Sequence, residues 1–163
     1  MRIMGIDPGL QVCGYACIEA EGTRENLIEA GVFRTVENQP LETRLNRISA
    51  DIELLLKKFH PSVVAVEQLY SHYAHPTTAV LMGHARGVIL QKCAEVQVEV
   101  QSFSATRIKK SITGNGRAQK EQVQRAIQTF FGLSSLPQPP DVADAIAAAV
   151  CCANSRASFT AGV

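Results

Sequence analysis

SVVAVE, residues 62–67, is the pivot of the chain. Its first five residues are a short apolar run rich in β-branched valine, which reads as a buried central strand. Glu67 then breaks the run. A carboxylate directly after four buried residues has no local backbone role, so it asks for a chemical one.

Upstream, Leu41, Leu45, Ile48, Ile52, Leu55, Leu56 and Phe59 recur at steps of three and four, an amphipathic helix that His60-Pro61 ends. Before it, residues 2–6, 12–20 and 26–36 read as strands joined by turns at Asp7-Pro8-Gly9 and Glu21-Gly22, an antiparallel meander closed by Gln39-Pro40. Downstream, Pro76-Thr77-Thr78 opens a helix over 79–94 in which Gly83, Ala85 and Gly87 would let another backbone approach. Alternating Val96, Val98 and Val100 predict a fifth strand. Gly114-Asn115-Gly116 is a loop. A helix over 119–131 stops at Gly132, and a stiff LPQPP connector (136–140) leads into an alanine-rich helix over 141–154. The order β-β-β-α-β-α-β-α-α predicts one α/β domain over 1–163, with roughly the last eight residues a flexible tail.

Composition excludes several classes. With 46% hydrophobic and 19% charged residues the chain is neither a disordered tail nor a fibrous repeat. No stretch approaches the ~18 apolar residues of a membrane span, and the N-terminus carries no signal-peptide run, so no membrane partner and a cytoplasmic location are expected. Cys13, Cys17, Cys93, Cys151 and Cys152 are odd in number and at no zinc-ligand spacing, and are expected reduced and packed. None of His60, His72, His75 and His84 has the spacing of a zinc site.

The net charge of +1 hides an asymmetry. Residues 1–100 carry nine basic and twelve acidic side chains, whereas residues 101–130 carry six basic ones (Arg107, Lys109, Lys110, Arg117, Lys120, Arg125) against Glu121 alone. Such a stretch is either a solvated face or a polyanion contact.

Acidic residues complete the pattern. If the first and fourth strands are parallel neighbours, Asp7 and Glu67 emerge at the same sheet edge. Asp141 and Asp144, three apart, share a helix face. Four carboxylates from three segments suit Mg²⁺ or Mn²⁺, and a pair of such ions supports in-line phosphoryl displacement. Local alternatives exist: Asp-Pro-Gly is a turn tripeptide, and Asp141 and Asp144 also suit a helix cap and first turn.

GIDPG (5–9), VEQLY (66–70), GHARG (83–87), TGNGRAQKEQV (113–123) and DVADAIAAAV (141–150) together resemble the RuvC family of bacterial Holliday-junction resolvases. The resemblance spans nearly the whole chain in family order. It implies a ribonuclease-H-like fold with a five-stranded mixed sheet, three antiparallel strands followed by two parallel ones, flanked by helices. It implies that Asp7, Glu67, Asp141 and Asp144 hold two Mg²⁺, replaceable by Mn²⁺. The activity implied is paired symmetric nicking of four-way DNA junctions in recombination and repair, leaving 5′-phosphate and 3′-hydroxyl ends. Lys120 and Lys109 match the family's phosphate-contacting lysines, with Lys110 an adjacent ambiguity. Arg117 beside the Gly-Asn-Gly loop, whose backbone amides could meet phosphate, is a further DNA-contact candidate. Tyr70 matches the family's aromatic wedge at the crossover, with Tyr73 a weaker second. A homodimer with the 79–94 helix at its interface, the RuvA–RuvB branch-migration complex as partner, and a place in the bacterial nucleoid are implied as well.

Other classes explain less. An actin- or sugar-kinase-like ATP module shares the strand–Asp–Gly opening but gives Glu67 and the basic loop no purpose. A non-catalytic junction binder would lack a carboxylate. Nucleases of ribosomal RNA precursors would lack the matches around Tyr70 and residues 113–123.

Overall fold

The computed structural model describes residues 1–22, 24–69 and 76–160. Strands β1 (Arg2–Asp7), β2 (Val12–Glu21) and β3 (Arg24–Arg34) precede α1 (Leu41–Phe59), β4 (Val63–Glu67), α2 (Pro76–Glu95) and β5 (Glu99–Phe103). Three helices follow: α3 (Ala105–Thr113), α4 (Lys120–Phe131) and α5 (Pro140–Thr160).

One five-stranded sheet has the order β3-β2-β1-β4-β5, the ribonuclease-H-like arrangement. β1 runs antiparallel to β2, and β2 to β3, while β1, β4 and β5 are parallel. The central strands are apolar without alternation because both faces are covered. Side chains alternate across the sheet. Ile3, Val63 and Ala65 join a core with α3, α4 and α5, while Met4, Ile6, Val64 and Val66 join one with α1 and α2. All five cysteines are buried and free.

The meander, α1 and β4 follow the sequence reading closely. Three later features depart from it. β5 begins at Glu99 rather than near Val96, because the chain leaves α2 through Gln97 in the left-handed region (φ 57°) and Val98 N–H still bonds Cys93 O. α3 is an additional helix: Ser104 caps it by accepting from Arg107 N–H, and Gly114 ends it at φ 74°. α5 continues to Thr160, past the expected end at 154 and through most of the expected tail.

Candidate active site

Strand alternation aims two carboxylates at one side. Asp7 follows Ile3 and Gly5 on β1, and Glu67 follows Val63 and Ala65 on β4, so both point toward α5. The register Ile6↔Val66 puts these strand ends side by side at one edge. Two glycines then bring α5 down onto the sheet. A Cβ on Gly5 would lie 2.0 Å from Ala145 O, and one on Gly14 would lie 2.1 Å from Asp141 O. No side chain fits at either place, and that closeness sets the first turns of α5 against Asp7. The helix begins at Pro140, so Asp141 lies inside it rather than capping it.

Asp7, Glu67, Asp141 and Asp144 line one cavity of about 280 Å³, together with Lys109 from α3 and Lys120 from the start of α4. Burial holds the Asp7 carboxyl well above the usual aspartate range; Asp144, Glu67 and Asp141 push the same way and Lys120 pulls against them. Burial also raises Glu67, reinforced by Asp144 and opposed by Lys109 and Lys120. Asp144 is raised chiefly by burial, with Lys120 opposing and Asp141 reinforcing.

Among the described residues none of these four carboxylates receives a side-chain hydrogen bond or closes an ion pair. Nor is any buried side-chain oxygen left without a partner, so their free oxygens open onto the cavity. No three His, Cys, Asp or Glu side chains among the described residues close around one point. Crowded hard-oxygen donors, costly to ionise together and spread over a cavity, fit divalent cations that each take one or two carboxylates and complete their shells with water or phosphate oxygen.

The basic candidates separate. Lys109 and Lys120 line the carboxylate cavity. Lys110 does not: it lies with Arg107 and Ser111 beside α5 in another cavity, of about 240 Å³. Arg117 is exposed. The Gly-Asn-Gly loop leaves fewer amides open than expected. Gly114 N–H bonds Lys110 O, Asn115 N–H bonds Thr113 Oγ1, and Arg117 N–H bonds Asn115 Oδ1. Gly114 and Asn115 thus commit their donors to the turn, while Gly116 N–H closes no bond among the described residues. Tyr70, Tyr73, His72 and His75 lie outside the described residues. His84 is exposed with Nδ1 2.8 Å from Val80 O, and His60 is the left-handed cap of α1.

One functional contact was missed in the sequence. Arg86 on α2 donates from Nε to the Glu67 backbone carbonyl (3.1 Å) and from Nη2 to Ser102 Oγ (2.8 Å). It fixes the Glu67 peptide where the β4 ladder ends. The available signal was that Arg86 is the only Asp, Glu, Lys or Arg in residues 76–91. A lone cation amid small and apolar residues requires an acceptor nearby.

Comparisons with known proteins identify the family. The family model described as crossover junction endodeoxyribonuclease RuvC matches residues 3–152. A crossover junction endodeoxyribonuclease RuvC of Rhodopirellula baltica is 47% identical over 149 residues, covering 91% of this chain and 84% of that protein. The Thermus thermophilus RuvC structure superposes with a TM-score of 0.85 at 31% identity, covering 97% of each chain. T. thermophilus RuvC in complex with a Holliday junction substrate also gives a TM-score of 0.85, at 28% identity and 96% coverage of each chain.

Proposed function

The chain belongs to the RuvC family of crossover junction endodeoxyribonucleases, and from this together with the carboxylate cavity we infer a divalent-cation-dependent nuclease that binds and resolves four-way DNA junctions. The observation that carries the reading is the convergence of Asp7, Glu67, Asp141 and Asp144, unpaired, on a cavity that also holds two lysines.

In this reading the four carboxylates hold two Mg²⁺, or Mn²⁺ in their place. When bound, such ions stabilise the entering and leaving oxygens of an in-line displacement at phosphorus. Lys109 and Lys120 face the scissile phosphate and offset the charge that grows on it. Arg86 holds the Glu67 peptide so that its carboxylate keeps its aim. Lys110 and Arg117 reach phosphates of the arms rather than the one being cut. Tyr70, with Tyr73 as the weaker second candidate, stacks on bases at the crossover. Products carry 5′-phosphate and 3′-hydroxyl ends.

Resolution needs two symmetric cuts, which a twofold dimer of single-domain protomers supplies. The exposed face of α2 suits that contact. A shallow cavity of about 500 Å³ there is lined by Leu45, Val80, Gly83, Gly87 and Val88 with His84 and Gln91, and a Cβ on Gly83 or Gly87 would meet nothing within 4 Å. Delivery to the junction by RuvA–RuvB, in the bacterial cytoplasm at the nucleoid, completes the reading. No helix among the described residues is long and apolar enough to cross a membrane.

The test compares a synthetic four-way junction with linear duplex of the same sequence, in Mg²⁺ and in EDTA. Paired symmetric nicks on the junction alone, abolished by EDTA, are expected. Tight binding without cutting in either Mg²⁺ or Mn²⁺ would overturn the nuclease assignment.

A further inference from the structure

Two neighbouring rows of residues on α2 face different tasks. Met82 and Arg86 form one row: Met82 lines the carboxylate cavity with Asp7 and Glu67, and Arg86 donates to the Glu67 carbonyl and to Ser102 Oγ. Gly83 and Gly87 form the other, one residue on and so about 100° around the helix, on the face where a second copy would lie. Whatever seats one row therefore sets the other.

A single protomer holds this helix mainly by its second half. The fully buried residues of α2 are Ala85, Ile89 and Cys93, one row at steps of four, and none of residues 76–84 is fully buried. Segments with few buried apolar contacts open locally at low cost. Met82 lies in that thinly packed half, and Arg86 lies at the first buried turn. Val80, Gly83 and Gly87 on the outer side are exposed. Apart from Arg86, which turns inward to bond Glu67, residues 76–91 carry no Asp, Glu, Lys or Arg. The outer face can therefore meet its own copy without repulsion between like charges.

Resting on the dimer reading above, we propose that pairing of two α2 helices positions Glu67 for its cation. The second copy pins the thinly packed half of α2, Met82 and Arg86 are fixed with it, and the protomer's affinity for a divalent cation rises in the dimer. Arg86 is the positioning residue, acting through the Glu67 peptide rather than touching the cation. Coupling of this kind is reciprocal, so the cation must tighten the dimer by the factor by which pairing tightens the cation.

The test reads Mn²⁺ binding, from the spin-resonance signal of the free ion, and mass, by sedimentation, with no DNA and no cleavage. In wild type the dimer dissociation constant should fall about fivefold or more on going from EDTA to Mn²⁺. Gly83→Gln combined with Gly87→Gln puts two neutral side chains where the protomer has room and a partner would need it, and it raises helix propensity. That variant should be monomeric and bind Mn²⁺ about fivefold or more weakly than the wild-type dimer. Arg86→Ala should remain a dimer in EDTA and lose about tenfold or more in Mn²⁺ affinity, the scale of a residue that orients a metal ligand from behind. Charge alone predicts the reverse, because removing a cation beside the cavity would tighten Mn²⁺. Arg86→Lys keeps the charge and one donor to the Glu67 carbonyl, and should recover part of the loss. A wild-type dimer of equal strength in EDTA and Mn²⁺, or unchanged Mn²⁺ affinity in the monomeric glycine variant, would overturn the coupling while the dimer reading stands. A wild type monomeric at every concentration would overturn both.

Discussion

Charges on this molecule are arranged in two opposite ways. Many on the surface are paired: Arg47 with Asp51, Lys58 with Glu29, Lys92 with Glu53 and Glu95, Arg125 with Glu121, and Arg156 with Glu99. At the ends of β1 and β4 and the start of α5, four carboxylates and two lysines share a cavity without closing a pair. Burial and mutual repulsion push Asp7 upward, whereas Lys58 holds Glu29 below the usual glutamate range. The paired surface is complete as it stands. The cavity carries a deficit of positive charge that a divalent cation, and then a phosphate, would complete.

The comparison can be broken most severely at Glu67. Glu67→Gln removes one ligand charge and almost no volume, and should lower junction cleavage by at least ~10²–10³-fold while junction binding in EDTA stays near wild type. Equal cleavage rates would contradict the assignment. Within α3 the contrast narrows to neighbours. Lys109→Ala should slow single-turnover cutting about tenfold or more, and Lys110→Ala less than about threefold, because only Lys109 lines the cavity. A reversed order would exchange their roles. The smallest effect is expected on the paired side. Arg125→Ala breaks an exposed pair and should change unfolding free energy in urea by no more than ~0.5 kcal/mol.

Most of the sheet could be read from the sequence because its strands carry unambiguous patterns. Val63–Glu67 is apolar until its last residue, and α1 repeats at three and four from Leu41 to Phe59. α3 escaped notice because its apolar signal is thin. Ile108 is its only fully buried residue, and its ends are set by the Ser104 cap and the Gly114 stop. β5 was placed too early because Val96, Val98 and Val100 alternate as a strand does, although α2 and its left-handed exit take the first two of them. The acidic set was legible as types and spacings. Its convergence depends on Gly5 and Gly14, whose missing side chains admit α5, and on Arg86, a lone cation whose acceptor, a backbone carbonyl, no side-chain pattern names.

The central claim is that the cavity carboxylates are held unpaired for a cation, and metal-free stability tests it against pH. Asp7 has a folded-state pKa raised above its ordinary 3.8, so the folded protein binds its proton more tightly than the unfolded chain. Stability tied to that proton is fully present below pH ~4 and is lost as pH rises through the folded value. Urea unfolding of wild type and Asp7→Asn in EDTA, from pH 4.5 to 8, should therefore show the variant gaining on wild type as pH rises. At neutral pH it should be the more stable, and Mg²⁺ should narrow the gap by stabilising wild type alone. A variant less stable than wild type throughout, with no pH dependence in the difference, would contradict the account.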